Sequence, residues 1–298
     1  MSVSTSSVLD GTWTSEFTVT NGIRLHYVTQ GKGELMLMLH GFPEFWYSWR
    51  HQIPEFAQSY KVVALDMRGY NESDKPEGVA AYEMQQVITD IKGVIENLGY
   101  EHCILVGHDW GGAVAWGFAY AYPEMVQKLI VLNIPHPAKF KDGLWSLDQL
   151  QKSWYIFFFQ LPILPELFLQ ADDYRGIASA FIDMAIDKTA FAPEDLAAYK
   201  DAAAKRGALT AMLNYYRNIF PGLFNPERSP EWGLLQVPTL MIWGEEDAAL
   251  GRELTYGTEE YVQDFQLRYI PNCSHWVQQE QPQLVNEYMW EFLQPEMR

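Results

Sequence analysis

Apolar residues in this chain fall into two kinds of run that take turns. The segments "ELMLML" (34–39), "KVVAL" (61–65), "HCILVG" (102–107) and "KLIVLN" (128–133) are short and almost unbroken, as expected of strands buried on both faces. Between the second and third of them, "AYEMQQVITDIKGVIENLG" (81–99) repeats its apolar positions every three or four residues, which predicts an amphipathic helix. Ahead of them all, "FTVTNGIRLHYVTQG" reads as a hairpin turning at Asn21-Gly22. Alternating strand and helix patterns predict a mostly parallel sheet covered on both faces.

From about Pro135 the rhythm changes. Residues 136–230 give four or five helical patterns and no convincing strand, with Ala-rich stretches such as "DLAAYKDAAAKRGALTAMLNYY". Strand patterns then return in "VPTLMIWG" (237–244) and "FQLRYI" (265–270), and "QPQLVNEYMWEFL" (281–293) reads as a closing helix. The expected organisation is one α/β core from residues 1–135 and 231–298, interrupted by a helical insertion over 136–230.

Composition narrows the function classes. At 298 residues with 48% hydrophobic content, the chain is long enough to bury a large core. A formal charge of -17 without any Lys/Arg cluster argues against a nucleic-acid partner. Two cysteines, Cys103 and Cys273, are too few for a disulfide framework, and no metal-ligand spacing accompanies them, so neither a metal nor a cofactor is expected and a cytoplasmic location fits. The N-terminal "MSVSTSSVLDGTWTSEF" lacks the features of a secretory signal. The most apolar stretch, Trp154 to Leu169, is broken by Gln160, Pro162, Pro165 and Glu166 and is too short to span a bilayer.

The chemistry centres on "ILVGHDWGGAVAW" (104–116). Its G-x-nucleophile-x-G frame is the sharp strand-to-helix elbow that usually exposes a serine, yet Asp109 occupies the centre. Two more residues follow separate predicted strands: Asp247 in "WGEED" and His275 in "PNCSHW". Residues beyond the carboxyl ends of parallel strands converge on one crevice. Of the seven histidines, His275 is the one placed to be a base; His26, His51 and His102 read as surface or packing residues, His136 opens the insertion, and His40 and His108 flank turns as supporting donors. Glu245 and Glu246 are the fallback for Asp247.

These motifs resemble those of the α/β-hydrolase superfamily and, within it, of the epoxide hydrolases of soluble, plant and microbial type. The resemblance runs through "HGFPE" (40–44), "DMRGY" (66–70), "GHDWGG" (107–112), "SWYIFFFQ" (153–160) and "NYYRN" (214–218) to the Asp247 and His275 loops. One departure is Asn71, where such proteins usually carry glycine, and it is expected to alter a loop and not the chemistry. The resemblance implies an α/β-hydrolase fold, a mostly parallel central sheet flanked by helices, with an inserted α-helical cap.

It also implies a mechanism. A carboxylate attacking an acyl carbon would give an anhydride, whereas attack on a saturated carbon bearing a leaving oxygen or halide gives an ordinary alkyl ester. Water activated by His275, with Asp247 behind it, then hydrolyses the Asp109 ester, and the backbone N–H groups of Phe42 and Trp110 are expected to hold the oxyanion. Opening an epoxide needs an acid, and Tyr155 and Tyr216 match the lid pair of epoxide hydrolases, with Tyr215 the neighbouring alternative. Glu44 is expected to orient the hydrolytic water or, like His108, to support from behind. The alternatives are a haloalkane dehalogenase and a non-catalytic binding protein of the same fold; by resemblance Phe42 weighs against the haloalkane reading and Trp110 against a fluoroacetate one, while Trp110 does not separate epoxide from haloalkane. An apolar epoxide is the expected substrate, and a homodimer is an open possibility.

Overall fold

The computed structural model describes residues 9–224 and 232–294. Eight strands form one sheet: β1 Thr14–Thr20, β2 Ile23–Gln30, β3 Leu35–Leu39, β4 Lys61–Leu65, β5 Cys103–His108, β6 Val126–Leu132, β7 Thr239–Gly244 and β8 Phe265–Ile270. Their order is β1-β2-β4-β3-β5-β6-β7-β8. The first two pairings, β1 with β2 and β2 with β4, are antiparallel; the remaining pairings are parallel. Asn21 and Gly22 both adopt positive φ, 50° and 75°, as a two-residue hairpin turn matching strand twist requires. Strands β3, β5 and β7 are buried at every position, which explains their unbroken apolar runs.

Helices α1 Gln52–Phe56, α2 Met84–Asn97 and α3 Trp110–Ala121 lie between the strands of the first half. Helix α2 buries Val87, Ile88, Ile91, Val94 and Ile95 along one stripe. Between β6 and β7 come α4 Pro137–Gly143, α5 Leu147–Lys152, α6 Trp154–Phe158, α7 Leu164–Ile182, α8 Pro193–Ala204, α9 Ala208–Arg217 and α10 Ile219–Phe224, with no strand among the described residues. That is more segments than the four or five expected, because α5, α6 and α10 are only five or six residues long, too short for a helical period to register. Gly207, at φ 82°, separates α8 from α9 within the Ala-rich run. The expected boundary at residues 230 and 231 lies outside the described residues. Helices α11 Val277–Glu280 and α12 Pro282–Leu293 end the fold. No described helix is long and apolar enough to cross a membrane.

The order reverses around β3, so the loops after β3 and β5 leave the sheet side by side, the position at which open α/β sheets hold their ligands.

Candidate active site

Strand β5 ends in the elbow. Asp109 has φ 48° and ψ -121°, a backbone state that costs a non-glycine residue about 1–3 kcal/mol and survives only where the surroundings enforce it. The enforcement is visible: the Asp109 N–H donates to Leu132 O at 3.2 Å, and its C=O accepts from Ala113 N at 2.9 Å to start α3. The turn is closed so tightly that a Cβ on Gly111 would lie 2.2 Å from the Leu39 carbonyl oxygen, and one on Gly41 would lie 2.4 Å from Asp109 Oδ1. Only glycine fits at either place. The result is a carboxylate that is 9% exposed and accepts the Phe42 N–H at 2.7 Å through Oδ1.

His275 reaches the elbow from the loop after β8. Its Nδ1 lies 2.7 Å from Asp247 Oδ2, and its Nε2 lies 3.6 Å from Asp109 Oδ2. Asp247 also accepts from Asn133 Nδ2 at 2.7 Å and from the N–H groups of Ala249 and Leu250 at 2.7 and 2.9 Å. Burial raises the Asp247 pKa, but His275 and these donors outweigh it and hold the group below its ordinary value. An ionised Asp247 accepts only, so Nδ1 of His275 carries a proton. Burial alone lowers the His275 pKa; the two carboxylates reverse this and push it up to about 10. Asp109 mirrors it, with burial overcome chiefly by His275. Glu245 instead pairs with Arg252 at 2.5 Å, and Glu246 is exposed.

The third component comes from the inserted helices. Tyr155 on α6 and Tyr216 on α9 stand with ring centroids 5.9 Å apart. Tyr216 packs edge-on against Phe42 and Trp110, 5.2 Å from each, and against Phe159 at 5.0 Å. Burial, then the Asp109 charge, raises the pKa of both phenols, so both hydroxyls feel the elbow carboxylate and stay protonated. Tyr215 is committed elsewhere, donating to Arg68 O at 2.9 Å.

Ring packing of Tyr155 on Tyr216, and of Tyr216 on Phe42 and Trp110, thus brings both phenols to the elbow that His275 also reaches, and comparison with known proteins gives the arrangement a family. A family model described as the alpha/beta hydrolase fold matches residues 34–282. Epoxide hydrolase 1 of Caenorhabditis elegans is 45% identical over 96% of this chain and 72% of its own length, and epoxide hydrolase 4 of Mus musculus 44% identical over 93% and 78%. The crystal structure of an epoxide hydrolase from Bacillus megaterium with an inhibitor superposes with a TM-score of 0.88, at 41% identity over 93% of this chain and 99% of that one. The chain belongs to the epoxide hydrolase family of α/β-hydrolases.

Around Asp109 and His275 of this epoxide hydrolase family member lies a layer that sequence reasoning read only in part. Glu44, fully buried, accepts four donors: Gly41 N at 2.8 Å and His108 Nδ1 at 2.8 Å on one oxygen, Gln278 Nε2 at 3.0 Å and Gln279 Nε2 at 2.9 Å on the other. Its four acceptor positions are thereby filled. His108 passes the connection on, its Nε2 2.8 Å from the backbone O of His275. Gln279 in turn accepts from Tyr199 OH on α8 and from Arg50, both at 2.6 Å. Asn133, Gln278 and Gln279 were missed. The signal for Asn133 was its place at the end of the apolar run of β6, where it bridges Asp247 and the N–H of Gly244 at 2.9 Å.

The remaining histidines sort by environment. His136 caps α4 by accepting Ala138 N at 3.2 Å, and burial with Lys139 pushes its pKa down to about 3. His40 lies 2.9 Å from Gly41 O and accepts Met67 N at 3.2 Å. His26 is buried in a hydrogen-bonded group, more than the packing role expected. Asn71 adopts φ 39°, the left-handed state a glycine would take, and donates to Asp66 at 2.8 Å. No group of three metal-ligating side chains occurs among the described residues.

Proposed function

We infer that the chain converts apolar epoxides and water to vicinal diols through an alkyl ester on Asp109. The observation that carries this is the placement of two protonated phenols, packed through Tyr216 on Phe42 and Trp110, where both feel the charge of the elbow carboxylate. Asp109 attacks one epoxide carbon, the C–O bond opens, and Tyr155 and Tyr216 donate to the alkoxide as it forms. A halide would leave without that acid, so the phenol pair favours the epoxide over the haloalkane.

The charge arrangement then supports the second step. Before attack, two carboxylates hold His275 protonated. Esterification removes the charge of Asp109 and the His275 pKa falls, so its Nε2 proton passes through solvent to the phenol pair that protonated the alkoxide, and the ring becomes a base only once there is an ester to hydrolyse. Water deprotonated at Nε2 attacks the Asp109 carbonyl carbon, and the oxyanion forms where Phe42 N–H already donates to Oδ1, with the Trp110 N–H at the start of α3 as second donor. The carbonyl–alkoxy bond then breaks, His275 returns the proton to the leaving alkoxide, and the diol departs from the restored Asp109. Glu44 acts through His108, holding the His275 loop, since its own oxygens are occupied. Residues 136–230 serve as the lid that supplies the acids, and Phe42, Trp110 and Phe159 favour an apolar substrate. Free, buried thiols at Cys103 and Cys273 suit a cytoplasmic location.

The deciding experiment supplies styrene oxide and 1-bromobutane in parallel and assays diol against bromide. Diol without bromide is expected; bromide without diol would replace this reading by the dehalogenase.

A further inference from the structure

We propose that a second nucleophilic site, built from Ser15, His26 and Asp66, lies at the antiparallel edge of the sheet and takes the acyl group of uncharged aromatic carboxylic esters. Ser15 on β1 has its Oγ 2.8 Å from His26 Nε2, and His26 Nδ1 lies 2.6 Å from Asp66 Oδ2. Asp66 is fully buried and also accepts the Trp46 N–H at 2.9 Å and Asn71 Nδ2 at 2.8 Å. An acceptor-only carboxylate fixes the proton on Nδ1, which leaves Nε2 as the acceptor for the Ser15 hydroxyl. This is the orienter–base–nucleophile order of a serine hydrolase, recognised by geometry and not by position in a chain. None of the three residues belongs to the Asp109 site.

The surroundings suit a ligand. Ser15 and His26 line a cleft of about 630 Å³, within the size range of small-molecule sites. Trp13, Phe45 and Trp46 give it an aromatic wall, with Trp13 and Trp46 edge-on at 5.4 Å. Asp10, Glu72 and Asp201 also line it and disfavour anionic acyl groups, and the charge of Lys205 on the same wall is paired with Glu72 at 2.5 Å. Ser15 itself is exposed, so an ester reaches it.

The step balances without a co-reactant. Ser15 Oγ bonds to the ester carbonyl carbon as its proton passes to His26 Nε2; the carbonyl–alkoxy bond then breaks, and His26 returns the proton to the leaving alcohol. Water enters by the same route, releasing the carboxylic acid and restoring Ser15.

An uncharged alkyl fluorophosphonate tests the nucleophile directly, with the adduct located by peptide mass spectrometry. One phosphonyl group on Ser15 is expected in the native chain and equally in Asp109→Ala, and p-nitrophenyl acetate should show a phenolate burst of one per chain in Asp109→Ala. Ser15→Ala should lose the adduct while keeping native epoxide turnover, and adding Ser15→Ala to Asp109→Ala should abolish the burst. His26→Gln should slow labelling about a hundredfold, within the range of general-base assistance; should that buried substitution prevent folding, the exposed Ser15→Ala comparison decides alone. No adduct on Ser15, adducts scattered over other residues, or a burst surviving in the Ser15→Ala, Asp109→Ala double variant would overturn the proposal.

Discussion

The sheet-borne half of the site and the lid-borne half are held in different ways. Asp109, Asp247 and His275 follow strands β5, β7 and β8, and each is fixed by hydrogen bonds to backbone or buried partners. Tyr155 and Tyr216 come from α6 and α9, five and ten residues long, and are placed mainly by ring packing. The lid also shows large apolar side chains to solvent, among them Leu147, Trp154, Ile163 and Phe168. Directional bonds locate the groups proposed to make and break covalent bonds; packing locates the groups proposed to choose the leaving atom. The core should therefore fail abruptly when altered and the lid by degrees.

The largest effect belongs to the core. His275→Gln should block ester hydrolysis while leaving attack intact, cutting turnover by at least about 10⁴-fold, as loss of a base acting in a triad does. Intact-mass measurement should then find one substrate added per chain. Rapid turnover with no trapped mass would remove the ester from the scheme. Next comes the lid. Tyr155→Phe or Tyr216→Phe alone should slow epoxide opening about 10²-fold, because the partner phenol still donates, and the double variant should approach 10⁴-fold, the upper end of general-acid assistance. Circular dichroism should stay native throughout. If both single variants match the double one, the phenols act as a unit, and the graded behaviour assigned to the lid is wrong.

Stability separates the halves again. Gly111→Ala would place a methyl about 2.2 Å from the Leu39 carbonyl oxygen, and a backbone clash at a packed strand–helix crossing should cost about 3 kcal/mol, read as a loss of urea midpoint. The His275 charge adds a pH signature. Its folded pKa, about 10, lies above the unfolded value of about 6.5. The stability it contributes is therefore complete below pH about 6.5 and is lost as pH rises toward 10. The difference in Tm between the native chain and His275→Gln should shrink across that window; a constant difference would show that the ring is neutral at rest.

The same division explains what was legible in the sequence. Strands β3 to β6 and the Asp109 elbow were readable because burial on both faces leaves an unbroken apolar run, and the elbow's steric demands leave glycine at fixed places. Asp247 and His275 followed from the rule that strand ends converge. Tyr155 and Tyr216 were not readable from periodicity at all; family motifs alone pointed to two of 17 tyrosines. Gln278 and Gln279 escaped because a buried glutamine looks like a surface one until its partner, Glu44, is brought to it from 234 and 235 positions away. His26 was read as a hairpin residue and Ser15 was left outside the hairpin, since a cross-strand serine–histidine contact leaves no mark in either strand's alternation.

The smallest effect tests whether strain means the same thing in both halves. Asp109 at φ 48° and Ile163 at φ 67° both occupy the left-handed side of backbone space. At Asp109 the strain aims the carboxylate proposed as nucleophile and is enforced by β5, β6 and α3. Ile163 precedes α7, is 67% exposed, and makes no side-chain hydrogen bond to cap that helix. A β-branched residue there carries a steric penalty of about 1–2 kcal/mol that glycine avoids, offset in part by the greater freedom glycine gives the unfolded chain. Ile163→Gly should therefore stabilise the chain by about 0.5 kcal/mol, raising Tm slightly with kcat and KM unchanged, whereas glycine at 109 abolishes turnover. A fall in Tm would mean that the Ile163 side chain is held by contacts whose value exceeds its strain. A change in KM alone would make the start of α7 part of the substrate passage, and the lid's surface would then share in the selectivity assigned to its two phenols.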